Sequence, residues 1–140
     1  MIQRIQSIWL LVASALAFIT LKTSFFSGNI LVNNVKQFQR FTGTSHMLLM
    51  ILTVLVALAS LVAIFLYKDR KVQIRVTAGA MLVSIINLIL YYTQTNNFVP
   101  TDWAFDLTAL LALAIPFFLF LAVRGIYRDN KLMKSLDRLR

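Results

Sequence analysis

The sequence predicts an all-α membrane protein, in which residues 1–140 form a single domain built as a bundle of four transmembrane helices. The prediction rests on four long apolar stretches, on the composition, and on the positions of the basic residues. Hydrophobic residues make up 59% of the chain and charged residues only 14%, and the mean hydropathy is +0.78. Because soluble domains carry about a quarter charged residues, this composition is typical of a chain with little soluble mass.

The four apolar stretches cover about 8–26, 47–67, 76–92 and 103–123. Each has about 17 to 21 residues, and a helix that rises about 1.5 Å per residue needs roughly that length to cross a hydrocarbon core about 30 Å thick. The third stretch is the shortest and spans only if its ends snorkel or the bilayer thins. Since backbone groups in lipid must be paired within the protein, we expect helices rather than open strands.

The positions of the basic residues predict the orientation of the bundle. Three of them lie on one side: Lys22 near the outer end of the first stretch, and Lys36 and Arg40 in the connection that follows it. Because Lys and Arg are enriched in cytoplasmic segments, the larger set on the other side places both termini in the cytoplasm. The net charge of +9 then reflects topology and contact with the anionic lipids of a phospholipid bilayer, and we expect no nucleic-acid partner. The larger set comprises Arg4, Lys68, Arg70, Lys71, Arg75, Arg124, Arg128, Lys131, Lys134, Arg138 and Arg140.

The tail at residues 124–140 predicts a basic amphipathic helix on the cytoplasmic side. Its leucines form the face opposite to the basic stripe. Such a helix next to a membrane usually lies on anionic headgroups, and docking on a cytoplasmic partner is the alternative. The residues expected to make this lipid or partner contact are Arg124, Arg128, Lys131, Lys134 and Arg138.

The first outer connection, at residues 27–45, predicts a small hairpin. Residues 30–32 and 35–38 are rich in β-branched and aromatic side chains, and they flank Asn33 and Asn34. An Asn pair between two such runs is typical of a tight hairpin turn.

Two prolines mark the fourth stretch. Pro100 is followed by Thr101 and Asp102, whose side-chain oxygens suit the start of a helix. Pro116 lies inside the stretch and removes one backbone hydrogen bond, so it predicts a kink, either static or acting as a hinge.

Small and polar residues recur at spacings of three and four along the second and third stretches, which indicates a packing seam between helices. Thr53 and Ser60 lie on this face of the second helix, and Ser84 and Asn87 on that of the third. An unpaired amide in hydrocarbon is costly, so we expect Asn87 to make an interhelical hydrogen bond. A position on a substrate path or proton relay is the alternative.

At the outer ends of the predicted helices lies a second polar group, formed by Lys22, His46, Asp102 and Asp106. Asp102 and Asp106 are expected in the first turns of the fourth helix, where the helix dipole favours carboxylates, and they would pair with Lys22. Convergence of these residues on a proton or metal site is the alternative, although one histidine and two aspartates are few ligands for a metal. We assign no catalytic, cofactor-binding or metal-binding residues.

Both ends of the chain carry distinctive motifs: MIQRIQS at residues 1–7, RGI at 124–126, and KSLDRLR at 134–140. In these motifs the chain resembles the domain-of-unknown-function family numbered forty-two ninety-three, small four-helix membrane proteins of Bacteroidota. The resemblance implies a multi-pass protein of the bacterial cytoplasmic (inner) membrane. It brings no catalytic residues.

Three functions remain open at this stage. The first is a non-enzymatic accessory or scaffold subunit of a larger membrane complex, which uses the tail and the outer loop as contact surfaces. The second is a small transporter or channel subunit with a polar path past Asn87. The third is a membrane enzyme acting on lipid-linked substrates, which would need His46, Asp102 and Asp106 to converge.

Overall fold

The computed structural model describes residues 2–32, 35–99 and 102–137, and in them four helices support a three-stranded sheet. The predicted all-α class therefore leaves out a sheet, of which the sequence predicts only the hairpin. Two short 3₁₀ turns, Leu66–Lys68 and Gln94–Asn97, connect longer elements. The elements in chain order are α1 Ile2–Thr20, β1 Ser24–Val32, β2 Val35–Thr42, α2 Met47–Phe65, α3 Arg70–Thr93, β3 Trp103–Phe105 and α4 Ala109–Asp137.

The four helices form a helical body in which each helix packs between two neighbours. α1 packs against α2 and α4, and α3 packs against the same two helices. Its core is built from small side chains, since six of the ten buried residues in the main cluster are alanines. Small residues let helix backbones approach closely, which is how helices associate in lipid.

The largest apolar side chains face outward instead of forming the core. Leu58, Phe65, Ile86 and Phe117 are each more than half exposed. Within the described residues, three helices are long and apolar enough to span a membrane: Met47–Lys68, Arg70–Asn97 and Ala109–Met133. The apolar part of α1, Ile5–Thr20, is shorter. An apolar exterior around a core of small residues indicates a membrane protein.

The first predicted helix, 8–26, is wrong at both ends. α1 begins at Ile2 and ends at Thr20, and Phe25 and Phe26 lie in β1. Both phenylalanines are nearly fully buried, at 3% and 1% exposure. They pack in a cluster with Tyr91 and Phe98, and hydropathy alone does not distinguish a buried strand from an apolar helix.

The third predicted helix, 76–92, begins too late. α3 starts at Arg70, directly after the turn formed by Leu66–Lys68 and Asp69. Lys, Arg and Gln are good helix formers, so the helix continues beyond its apolar part. The basic residues 70–75 are therefore helical rather than part of a connecting loop.

The fourth predicted helix, 103–123, is wrong at its start, because Trp103–Phe105 forms β3 and α4 begins at Ala109. The predicted helix start at Pro100 and Thr101 lies outside the described residues, and Asp102 precedes the strand. α4 continues through Pro116 to Asp137, which confirms a helical tail to that residue.

The sheet has the strand order β2-β1-β3, with β1 antiparallel to both neighbours. Val32 pairs with Val35 across the two positions 33 and 34, which confirms the predicted hairpin and extends it to Ser24–Thr42. Phe26 lies at the centre of the sheet. It stacks on Phe41 at 4.7 Å between ring centroids and meets Phe98 edge-on at 5.1 Å.

Aromatic contacts join this sheet to the helical body. Phe25 stacks on Tyr91 of α3 with ring centroids 3.9 Å apart. The hydroxyl of Thr108, next to the start of α4, donates to the backbone carbonyl of Ser24. The sheet is thus fixed to the ends of α3 and α4.

Two glycines offer a matched test of how tightly β3 pairs with β1. A Cβ at Gly28 would lie 2.6 Å from both the carbonyl oxygen of Asp102 and the Cβ of Trp103, whereas a Cβ at Gly79 in α3 would meet no atom within 4 Å. We expect Gly28→Ala to lower the free energy of unfolding by about 1–3 kcal/mol through this clash. Gly79→Ala should raise it by about 0.5–1 kcal/mol through helix propensity. Unfolding in mixed micelles followed by circular dichroism measures both, and equal effects would contradict the close strand pairing.

Candidate functional site

The polar residues inside the helical body lie mainly between α2 and α3. The structure buries all four that the sequence places inside: Thr53 and Ser60 are at most 1% exposed, Ser84 is 5% and Asn87 is 6% exposed. Ser60 donates to Val56 O and Ser84 to Met81 O, each within its own helix. The hydroxyls of these two serines are therefore hydrogen-bonded within their own helices, and the small size of the side chains lets the helices approach each other.

Asn87 makes the interhelical contact that the sequence predicts. Its Nδ2 donates to the Thr53 Oγ1 over 2.8 Å. The Thr53 hydroxyl in turn donates to Leu49 O at 2.7 Å. A hydroxyl has a single proton, so the 3.3 Å contact between Thr53 and Tyr91 has Tyr91 as its donor. Thr53 is thus the shared acceptor that ties two side chains of α3 to α2.

A small cavity lies beside Asn87. The centre of a water-sized sphere can reach about 10 Å³ of this cavity. Thr20, Tyr91 and Ala112 are among its lining residues. The Asn87 Oδ1 is buried and has no hydrogen-bond partner in the described part of the chain. A cavity of this size has room for about one water molecule, which could serve this oxygen. The space is too small for a larger solute.

Two further interhelical bonds were missed by the sequence analysis. Ser14 Oγ donates to Ala57 O at 3.1 Å, joining α1 to α2. Gln73 Nε2 donates to Ala63 O at 2.9 Å and joins α3 to α2. Ser14 is a lone hydroxyl among alanines and leucines, and this isolated polar residue was the signal in the sequence for an interhelical bond. Gln73 gives no such signal, because the basic residues around it predict a connecting loop.

The residues of the predicted outer polar group do not converge, and its two aspartates contact residues outside the group. Asp102 forms an ion pair with Lys36 of β2 at 2.5 Å, and Asp106 accepts a hydrogen bond from Ser27 Oγ at 2.9 Å. Both carboxylates thus hold the strands, and neither lies in the first turn of α4 as expected. His46 precedes α2 and its side chain makes no capping bond. Lys22 is exposed just after α1.

The donor set for a metal is small. Over residues 2–32, 35–99 and 102–137, no group of three or more His, Asp, Glu or Cys side chains is placed to hold a metal ion. The arrangement at the sheet end fixes strands and offers no set of ligands or reactive groups converging on one point.

The opposite end of the molecule carries the basic tail. Arg124, Arg128 and Lys131 are exposed on α4, whereas Ile126 is fully buried and Asp129 is 6% exposed. α4 therefore continues as part of the helical body past Arg124 to Asp129. Of the other predicted contact residues, Arg138 and the side chain of Lys134 lie outside the described part.

Two buried threonines test the importance of the Asn87 contact. Thr53→Val removes the acceptor of Asn87 and Tyr91 with little change of shape, so it should lower the free energy of unfolding by about 1–3 kcal/mol. Thr77 is equally buried, but within the described part of the chain its hydroxyl bonds only to Gln73 O in its own helix, so Thr77→Val should cost clearly less. The two variants are compared by unfolding in mixed micelles. A Thr77→Val loss as large as that of Thr53→Val would contradict a specific role for the interhelical bond.

Comparisons with known proteins give one match. No curated protein and no solved structure matches the chain. One family model matches residues 2–139, almost the whole sequence. The chain therefore belongs to the family described as Domain of unknown function (DUF4293).

Proposed function

We propose that this chain is a multi-pass protein of the bacterial inner membrane, with both termini in the cytoplasm, and that it serves as a non-enzymatic accessory or scaffold subunit of a larger membrane complex. The sheet would stand on the outer side as the contact surface. The orientation, the contact surface and the closed interior each have separate support.

The orientation follows from charge at the two ends of the helical body. The turn between α2 and α3 carries Lys68, with Arg70 and Lys71 directly after it. Exposed basic residues of α4 lie at the same end, because Asn130 of α4 lines a cleft together with these three residues. The sheet end has fewer basic residues, and the ion pair with Asp102 occupies Lys36. An excess of Lys and Arg marks the cytoplasmic side.

The observation that carries the scaffold role is the exposed hairpin. Among the strands that the structure describes, β2 is an edge strand that pairs only with β1, and residues 35–40 are exposed. Leu31 is 61% and Phe38 is 65% exposed, and the strand register places both on the face opposite Phe26 and Phe41. Natural proteins usually cover or blunt such edges, so a long edge with apolar side chains suits a protein partner.

The closed interior favours this role over transport. The cavity at Asn87 has room for about one water, and Ala112 and Ile115 of α4 border it. For a membrane enzyme, Asp102 and Asp106 would have to be available to substrate, yet they are engaged with Lys36 and Ser27. Both alternatives therefore have less support than the scaffold role.

Purification from native membranes in mild detergent, with quantification of the proteins that accompany the full-length chain, tests the proposal. The variant Leu31→Ser/Phe38→Ser should reduce the recovery of the partner about fivefold or more, because buried apolar anchors dominate interface energies. The control is Gln37→Ser/Gln39→Ser, which alters exposed residues on the other face of the same hairpin and should leave recovery unchanged.

Two results would contradict the scaffold role as stated. If the variant Leu31→Ser/Phe38→Ser recovers as much partner as its control and the wild type do, the hairpin is not the contact. In that case Lys131→Gln tests the tail surface separately. A chain that leaves native membranes without any stoichiometric companion, even after cross-linking, would remove the proposal altogether.

A further inference from the structure

We propose that the N-terminal end of α3 is a binding site for the phosphate headgroup of an anionic phospholipid, held by Lys68, Arg70, Lys71 and Arg75. We call this group the basic cleft. The inference rests on the membrane location under the proposed function, but it does not depend on the scaffold role.

The basic cleft has a large excess of positive charge. Its four cations face one carboxylate, that of Asp69, in the lining of a cleft of about 520 Å³. Among the described residues, none of the four is in an ion pair, and the recorded pair joins Lys36 and Asp102 in the sheet. Cations held this close to one another repel, and an anion between them relieves that repulsion.

The backbone adds further donors at the same place. Asp69 is the residue that precedes α3, and its side chain makes no capping hydrogen bond. The N–H groups in the first turn of a helix have no partner within the helix, and the helix dipole favours negative charge there. α3 is 24 residues long, so its N-terminal end is a suitable anion-binding element that here coincides with four cations.

A second cleft adjoins the first, with Arg70 lining both. It has a volume of about 450 Å³ and a mixed lining, in which Ile8, Ile64 and Phe65 form the apolar part. Gln6 also lines this cleft. It is only 5% exposed, and its Nε2 has no acceptor among the described residues. The cleft therefore places apolar side chains of α1 and α2 directly beside Arg70.

The combination favours a phospholipid over a free anion. Arg70 lies where the apolar span Arg70–Asn97 begins, which is the depth of the headgroups if α3 crosses the bilayer. Phe65 is 76% and Ile8 is 55% exposed, so an acyl chain has an apolar wall beside Arg70. A free phosphate would use the cations and leave this wall uncovered. Basic pockets between helices on the cytoplasmic side are a known mode of binding anionic lipids.

Native mass spectrometry of the full-length protein in a non-ionic detergent tests the site, with phosphatidylglycerol, phosphatidylcholine and inorganic phosphate as probes. The wild-type chain should retain phosphatidylglycerol in preference to phosphatidylcholine. Arg70→Gln/Lys71→Gln should bind phosphatidylglycerol about thirtyfold more weakly, as expected for two basic residues near the lipid surface. The matched control Lys22→Gln/Arg40→Gln removes the same charge at the sheet end and should bind within about twofold of the wild type, because its sites are distant from the cleft.

A second variant, Lys71→Gln/Arg75→Gln, changes two exposed positions of the same helix and gives the same expectation if the first variant fails to fold. Equal affinity in wild type and cleft variants would overturn the proposal. So would an equal loss in the control, which would indicate unspecific attraction, or displacement of the lipid by millimolar phosphate, which would indicate a site for a soluble anion. Because binding is measured in detergent, without any partner, failure here leaves the scaffold role untouched.

Discussion

The structure depends on the condition that almost every buried side-chain polar group is satisfied within the protein while the surroundings are apolar, and Gln6 Nε2, Thr23 Oγ1 and Asn87 Oδ1 are the exceptions among the described residues. Lipid offers no hydrogen bonds and no hydrophobic force between helices, so helices associate through close packing and a few polar contacts. The helical body meets this condition with alanines at its centre and, among the described residues, with four bonds between helices. These are Ser14 to Ala57, Gln73 to Ala63, Asn87 to Thr53 and Tyr91 to Thr53.

The two ends of the molecule have different chemistry, and this difference links the fold to its proposed role. At one end, Phe25, Phe26 and Tyr91 fix the sheet to the helices, and the ion pair between Lys36 and Asp102 joins β2 to the residue just before β3. That end is a rigid surface with an open strand edge. The other end carries unpaired cations, which suit the anionic surface of a bilayer. A small protein with these two ends could hold a partner at a fixed height above the membrane.

Much of this architecture was predictable from sequence, because hydropathy responds to the environment of each segment. α2 was located to within two residues, and the hairpin followed from Asn33 and Asn34. The contact of Asn87 with the neighbouring helix followed from the cost of burying an amide. The errors have one physical cause: hydropathy measures burial in an apolar medium and not secondary structure. Phe25, Phe26 and residues 103–105 are apolar yet lie in strands.

Other features could not be read from the sequence because they depend on distant residues. Asp102 pairs with Lys36, which is 66 positions away, whereas the sequence predicts a pair with Lys22. The start of α3 at Arg70 was hidden because charged residues in a helix resemble those of a loop in a hydropathy profile. The cleft beside Arg70 arises only when α1, α3 and the turn after α2 meet.

Thiol labelling of single-cysteine variants is the most direct test of the claim that lipid surrounds this chain and that its basic end is cytoplasmic. The sequence has no cysteine, so Ser45→Cys at the sheet end, Ser84→Cys in the interior and Ser135→Cys on α4 each give one reporter. With a membrane-impermeant maleimide on spheroplasts, we expect position 45 to react at once, position 135 only after permeabilisation, and position 84 in neither state. Reaction of position 135 in intact spheroplasts would contradict the orientation, and reaction of position 84 would contradict the closed, lipid-surrounded interior.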